Sequence, residues 1–358
     1  MTRQPHLWSV PQDTVNVGDR NSSNGKVHYV TSAKSRRRRR SPWPPDAVLD
    51  KPGELEDGRL FNQSVISPLR YPGAKRQLVQ VIERLITANL PPPRLFVEPF
   101  CGGATTTLRL LGAGVVEHAI LADVDPLVAS FWRTAAFDAN WLIQAMREES
   151  VTVARWDWWR RSRPRGRREQ ALKCLFLNRT TFSGILHGRA GPIGGRAQTS
   201  PYKIDCRFGI EGLARRITAV ADLGSSGRLL DVWNCDWREA LVRVRCRYPM
   251  LEQSEVVYYF DPPYVDKAEW LYAWSFDSGE HSKLAQRLTA DQSFRWLLSY
   301  DDHESIRTLY RGRVNQTLLH ISNRYTAAGS ETRAVREELL VTNLPSIPDS
   351  DRYKTVDD

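Results

Sequence analysis

The sequence predicts an α/β fold: a sheet covered by helices on both faces, interrupted partway along by a basic, mainly helical segment. Three observations carry this expectation. Short apolar runs recur at Leu95–Glu98, Ala119–Asp123, Leu229–Asn234, Val256–Phe260, Arg295–Tyr300 and Leu339–Thr342. Helical patterns lie between several of them, as at Gln77 to Ile86, Thr105 to Leu111, His281 to Leu288 and Ile306 to Tyr310. Alternating strands and helices imply a sheet with both faces buried. The third observation is charge. The net +10 is concentrated in residues 1–45, with nine Lys/Arg against two Asp, and in residues 151–216, with fifteen against four acids. The remainder is mildly acidic.

Residues 1–60 read as a disordered basic tail. They are polar, contain Pro42-Trp-Pro-Pro45 and Arg36 to Arg40, and show no sustained periodicity. The five arginines fit non-specific phosphate contact, a solubilising run, or a start site assigned too far upstream.

The folded body begins at about Val65. Ser67-Pro-Leu-Arg-Tyr-Pro-Gly-Ala-Lys-Arg76 opens the first helix, and a Lys with an aromatic at a helix start suits a carboxylate and an adenine. Arg94-Leu-Phe-Val-Glu-Pro-Phe-Cys-Gly-Gly-Ala104 is a strand, an acid and a glycine pair before a helix. Glycines there let a ligand approach the backbone closely at a helix N-terminus. Asp123 ends the next strand about 20 residues on, where a carboxylate grips ribose hydroxyls. The spacing is not G-x-G-x-x-G, so a nucleoside-type cofactor fits better than a dinucleotide.

The insert spans residues 126–227. Arg155-Trp-Asp-Trp-Trp-Arg-Arg161 and Arg163-Pro-Arg-Gly-Arg-Arg168 are dense in Arg and Trp. The arginines suit phosphates; Trp156, Trp158 and Trp159 are expected to pack the insert. Leu172 to Leu177 is a buried-helix pattern leading to Asn178-Arg179. Phe182 to Lys203 is Gly-rich and reads as a β-hairpin or long loop.

Beyond the insert, Glu255-Val-Val-Tyr-Tyr-Phe260 is a buried strand that stops at Asp261-Pro-Pro-Tyr264. The prolines lack N–H groups and stiffen the turn. Asp261 and the Pro262 carbonyl can then accept both hydrogens of an exocyclic amine while Tyr264 stacks on its ring.

Composition sets bounds. The chain has 358 residues, 41% hydrophobic, with 12 Trp, enough for a sizeable core. It holds no apolar run near the ~20 residues that span a bilayer, and no signal-peptide pattern. Its five cysteines form no C-x-x-C pair, which suggests reduced thiols and neither a zinc site nor a disulfide framework.

In order, Arg70-Tyr-Pro-Gly-Ala-Lys75, Phe96-Val-Glu-Pro-Phe-Cys-Gly-Gly103, Leu121-Ala-Asp123, Asn178-Arg179 with Phe182-Ser-Gly184, and Asp261-Pro-Pro-Tyr264 resemble the Dam-like (alpha group) adenine-N6 DNA methyltransferases. The likeness extends to Leu298-Ser-Tyr-Asp-Asp302 and Glu337-Glu-Leu-Leu340, so it covers roughly residues 65–345. It implies a Rossmann-like methyltransferase sheet, mostly parallel with a reversed edge hairpin. That catalytic domain would be residues 61–125 and 228–345, residues 126–227 a DNA-recognition insert, and residues 346–358 a polar tail. It implies S-adenosyl-L-methionine as cofactor, held by Tyr71, Lys75, Glu98, Asp123, Asp261 and the backbone of Phe100, Gly102 and Gly103. Asp236 is a further candidate for the cofactor adenine, or simply a helix cap. Arg70, Arg179, Phe182, Ser183 and His187 fall at DNA-contact positions. The family often has Asn at the Ser183 position and Arg at the His187 position, so no recognition sequence is carried over.

The reaction implied is methyl transfer to the N6 amine of a flipped-out adenine in double-stranded DNA, with Asp261, Pro262 and Tyr264 catalytic and no metal. The resemblance further implies a cytoplasmic monomer, nucleoid-associated when on DNA, with a cognate restriction endonuclease or defence system as the protein partner it allows. Cytosine-N4 methylation uses the same trapped-amine chemistry. A catalytically silent DNA-binding regulator on the same fold is the reading from another class.

Overall fold

A computed structural model of the chain describes residues 65–70, 76–263, 276–291, 293–323 and 336–356. Its strands are β1 (Leu95–Glu98), β2 (His118–Asp123), β3 (Leu229–Asn234), β4 (Val256–Phe260), β5 (Arg295–Asp301), β6 (Thr317–Asn323), β7 (Arg336–Thr342) and β8 (Lys354–Thr355). They form one sheet of order β3-β2-β1-β4-β5-β7-β6-β8. The pairs from β3 across to β5 are parallel. β7 lies antiparallel between β5 and β6. This is a Rossmann-like sheet, mostly parallel, with the reversed edge hairpin that the resemblance implies.

Alternation along each strand sets the layers, because successive side chains point to opposite faces. Phe96, Leu121, Val257, Tyr259 and Leu340 join one apolar cluster. Leu95, Val97, Ile120, Val256, Tyr258, Phe260 and Leu298 join the other. The first face is covered by α1 (Arg76–Ala88), α2 (Thr105–Gly112) and α3 (Pro126–Phe137), the second by α8 (Trp237–Arg247), α9 (Ser278–Ala290) and α10 (Glu304–Tyr310). With both faces buried, the strands need no polar alternation, which is why they read as continuous apolar runs.

Between β2 and β3 lie α3, α4 (Ala139–Arg147), α5 (Val153–Arg161), α6 (Arg167–Thr180) and α7 (Ile210–Ser225). Their apolar residues share the cluster of the first sheet face, so the insert and the sheet have one continuous core. In α6 every residue from Ala171 to Thr180 is buried. Trp156 and Trp159 are buried, as expected, whereas Trp158 is 47% exposed. Arg155 lies over the Trp158 ring at 4.1 Å.

Two expectations need correction. The Phe182–Lys203 segment contains no strand. It makes a 3₁₀ turn at Phe182–Gly184 and a single bridge between Thr181 and Pro192. Gln198 supplies local substitutes for ladder bonds: its amide donates to Ile193 O at 2.7 Å, and its oxygen accepts from Ile204 N at 2.8 Å. Residues 346–356 are not a polar tail. Ser346 N donates to Asn89 Oδ1 at 2.8 Å, Tyr353 is buried, and β8 pairs with β6. Among the described residues no helix is long and apolar enough to cross a membrane.

Candidate active site

The strand order places β1 between β2 and β4, so the connections diverge at the β1/β4 boundary. In open α/β sheets ligands bind at the carboxyl ends of strands beside such a switch point. Three acids stand there: Glu98 ends β1, Asp123 ends β2, and Asp261 follows β4.

Glu98 is 3% exposed. Its Oε2 accepts from Thr107 N at 3.3 Å and from the Thr107 hydroxyl. Burial pushes its carboxyl up from the usual 4.5 to about 8, with Asp261 and Asp123 adding repulsion. Asp123 is also buried. Its Oδ2 accepts from Gly102 N and its Oδ1 from Asp125 N, both at 2.9 Å. Burial raises it to about 7, with Asp125 contributing. Asn234, at the end of β3, donates to the carbonyls of Asp123 and Val124 at 3.0 Å and ties the two strand ends together.

The glycine turn is anchored at several points. Cys101 N donates to Ala122 O at 3.0 Å, and Trp132 Nε1 donates to Gly102 O at 2.7 Å. Gly102 has φ +42°, a conformation that side chains disfavour. Its N–H thereby meets the Asp123 carboxylate. Phe100 packs edge-on against Phe260 and Phe276, with ring centres 6.5 and 5.5 Å away. Gly103 is buried beside it.

Asp261 is half-buried, and Pro262 is buried. Ser299, on β5, donates to Asp261 Oδ1 at 2.8 Å, and Tyr259 OH lies 2.8 Å from the Ser299 hydroxyl. Since Ser299 gives its proton to Asp261, Tyr259 donates to Ser299. A buried hydroxyl relay thus fixes the carboxylate. Tyr71, Lys75, Tyr264 and residues 1–60 lie outside the described residues. Asp236 caps α8, accepting from Arg238 N at 2.8 Å and pairing with the Arg238 side chain at 3.0 Å; its geometry realises the helix-cap alternative.

On the insert side, Asn178 organises the predicted contact residues. Its oxygen accepts from Arg70 N at 2.7 Å, and its amide donates to Arg70 O at 2.7 Å and Gly184 O at 3.1 Å. A Cβ at Gly184, where φ is +76°, would sit 2.3 Å from Arg70 O. Arg179 does not face solvent: it is 6% exposed and donates to Pro68 O, through Nε at 2.8 Å and through Nη2. Burial and Arg216 lower it to about 10. Phe182 is 67% exposed, and Ser183 is exposed with φ +57°. His187 Nε2 lies 2.7 Å from Asp125 Oδ2, so this loop touches the end of β2.

Sequence reasoning noticed Asn178 without its clamp role, and gave no role to Ser299 or Asn234. The signal was a polar residue interrupting or ending an apolar run.

The model of the D12 class N6 adenine-specific DNA methyltransferase family matches residues 71–188. No curated protein matches the chain. Two solved structures of the rRNA methyltransferase aviRa from Streptomyces viridochromogenes align at 15% identity with TM-scores of 0.37 and 0.33. They cover 77% and 76% of this chain and 87% of their own. At those scores the fold rests on the strand order alone. The match makes residues 71–188 similar to the D12 class N6 adenine-specific DNA methyltransferases, and it implies a methyl donor of S-adenosylmethionine type and DNA as substrate.

Proposed function

We propose that the protein, as an alpha-group member of that class, transfers a methyl group from S-adenosyl-L-methionine to the N6 amine of adenine in a specific double-stranded DNA sequence, with the target base flipped out. The observation that carries this reading is the convergence of Glu98, Asp123 and Asp261 at the ends of three adjacent parallel strands beside the glycine turn.

The donor group supplies an electrophilic methyl on a cationic sulfonium. The residues present suit it. A cluster of buried carboxylates that hold protons up to about 7 and 8 favours a cation over any anion. Asp123 retains acceptor capacity beyond its two N–H bonds, which fits ribose hydroxyls. Gly102 and Gly103 present backbone without a side chain in the way, and Phe100 offers a ring edge. Tyr71 and Lys75 keep their proposed contacts to adenine and carboxylate.

The amine lone pair of adenine is delocalised into its ring. With its two hydrogens accepted by Asp261 and the Pro262 carbonyl, the nitrogen is favoured as a pyramid with its lone pair aimed at the methyl carbon. The nitrogen–methyl bond forms as the methyl–sulfur bond breaks, and one amine proton is released. Asp261 offsets the positive charge that grows on nitrogen, and Ser299 holds its carboxylate in place. Tyr264 stacks on the flipped base. Arg70, Phe182 and Ser183 meet the duplex. Arg179 acts indirectly, by holding the segment that carries Arg70.

The test is transfer of labelled methyl from S-adenosylmethionine to duplex DNA, followed by nucleoside chromatography. Label in N6-methyladenine is expected. Label in N4-methylcytosine overturns the adenine assignment, and saturable DNA binding without label overturns the enzyme.

A further inference from the structure

A cavity of about 540 Å³ lies between the start of α3, the α5–α6 connection, α6 and the loop at residues 186–188. That is the size of a small-molecule site, ~300–1,000 Å³. It is separate from the glycine turn and the Asp261 site in its lining residues. Its charged wall is basic throughout: Arg160, Arg163, Arg165 and Lys173, with no Asp or Glu in the lining.

Arg160, Arg163 and Lys173 are held by neutral acceptors. Lys173 is 6% exposed, and its Nζ donates to Ser162 O at 2.8 Å. Arg163 donates to the same carbonyl at 3.2 Å and to Arg160 O at 3.4 Å. Arg160 donates to Leu186 O at 2.9 Å and to Gly188 O. Other arginines of the insert have carboxylate partners: Arg155 has Glu149, Arg168 has Asp138, and Arg196 has Asp157. Among the described residues none of the four pocket cations makes an ion pair.

Asp125 acts on Lys173 from a distance, but its own oxygens are taken by Leu127 N and His187. Burial together with Arg163 and Arg160 holds the Lys173 ammonium down to about 8. An ammonium has three N–H donors, and the Ser162 bond uses one. Lys173 and Arg163 share the Ser162 carbonyl with donors to spare, and an anion entering there would relieve their mutual repulsion.

We propose that this pocket binds a phosphate group, and that in the DNA-bound protein it is a backbone phosphate of the substrate. The volume admits the attached sugar as well. Leu127 and Leu177 supply an apolar wall for it. The DNA part rests on the function proposed above; the phosphate part does not. Such a phosphate site carries no sequence information and sets register.

The experiment uses the full chain and the double variant Arg163→Gln/Arg165→Gln. Both residues are exposed, so folding should survive. Arg163→Gln alone is the second variant, and near-UV circular dichroism checks all three proteins. Inorganic phosphate alone should raise the thermal midpoint of the parent, against a chloride control of equal ionic strength, and should not raise that of the double variant. Affinity for duplexes of unrelated sequence should fall several-fold and uniformly. The slope of log K against log salt should shrink by about 0.9 for each DNA phosphate that the variant no longer neutralises.

Equal phosphate protection of parent and variants overturns the pocket. Absence of protection in the variant with an unchanged salt slope overturns the backbone assignment and leaves a free phosphate or nucleotide as the ligand. The phosphate arm uses neither DNA nor methyl transfer, so a failure of the proposed function leaves its outcome distinguishable.

Discussion

Around Glu98, Asp123 and Asp261 the groups are acidic and fixed by backbone and hydroxyl donors at strand ends. Around Arg155, Arg160, Arg163 and Arg168 they are positive and arrayed on α5, α6 and the connection between them. The first group sits at the carboxyl ends of parallel strands, where neighbouring residues are bound by sheet register. The second depends on side-chain pairing with loops and on stacking, as with Arg155 over Trp158 and Arg160 over Trp156. The difference teaches where each function tolerates change. Strand-end acids define positions to a fraction of an ångström, which methyl transfer needs. The insert arginines define a field and a register, which suits the DNA docking proposed for them.

The sharpest way to break this comparison is at Asp261. Asp261→Ala removes the acceptor proposed for the target amine, so kcat should fall by a factor of ~10³ or more while duplex affinity stays within about twofold. Methyl transfer near the parent rate would end the trapped-amine mechanism. Loss of DNA affinity with intact turnover would assign Asp261 to the wrong half of the comparison.

Asn178 is the next largest. It is 1% exposed and bonds three backbone groups of Arg70 and Gly184. Asn178→Ala should cost about 2–4 kcal/mol, because buried backbone groups lose their partners. Urea unfolding reads this directly. Gly184→Ala should be similarly damaging, since its Cβ meets Arg70 O at 2.3 Å. A cost below about 0.5 kcal/mol in both would show that the Phe182–Gly184 turn and the Arg70 segment are not clamped together.

Asp261 and Asn178 also mark what was legible in the sequence. Asp261 was readable because two prolines lock the turn after an apolar run. The β4 run itself was readable because both sheet faces are covered. Asn178 and Arg179 were visible as polar residues ending a buried helix, but direction was not. A sequence does not say whether an arginine turns to phosphate or to Pro68 O. Ser299 was hidden for a related reason: one hydroxyl inside Leu298-Ser-Tyr300 looks like an ordinary strand residue until Asp261 is beside it. The Gly-rich loop was read partly as a hairpin because composition does not distinguish ladder bonds from the Gln198 bonds that replace them. β8 has two residues and no periodicity to detect; its pairing depends on β6, which lies between β7 and β8.

Recognition should respond more gently. Ser183 is exposed, at φ +57°, a region that Asn tolerates well. Ser183→Asn should therefore leave stability within about 0.5 kcal/mol. If Ser183 reads a base edge, discrimination between sites should shift by ~1–3 kcal/mol, visible as new motifs by methylome sequencing. Adding His187→Arg should shift it further, because His187 ties the same loop to Asp125. An unchanged motif in the double variant would confine this loop to covering the insert.

The effect that sharpens the acidic half of the comparison is the pH dependence set by Glu98 and Asp123. Burial raises them from 4.5 to about 8 and from 3.8 to about 7. A raised carboxyl binds its proton more tightly folded than unfolded, so its contribution to stability is complete below about pH 4 and fades as pH rises through 7 to 8. The protein without cofactor should thus lose stability between about pH 5 and 8 and level off above. Glu98→Gln keeps a carbonyl oxygen for the Thr107 donors and cannot ionise. It should flatten the upper part of that decline while Asp123 preserves the lower part. A cationic donor binds the ionised forms, so its protection of the parent should grow with pH over the same window, and grow less in Glu98→Gln. Urea midpoints at pH steps from about 5 to 9, with and without S-adenosylmethionine, measure both slopes. Identical slopes in parent and variant would mean that Glu98 is not a buried, proton-holding acid at the end of β1, and the negative floor would then rest on Asp123 and Asp261 alone.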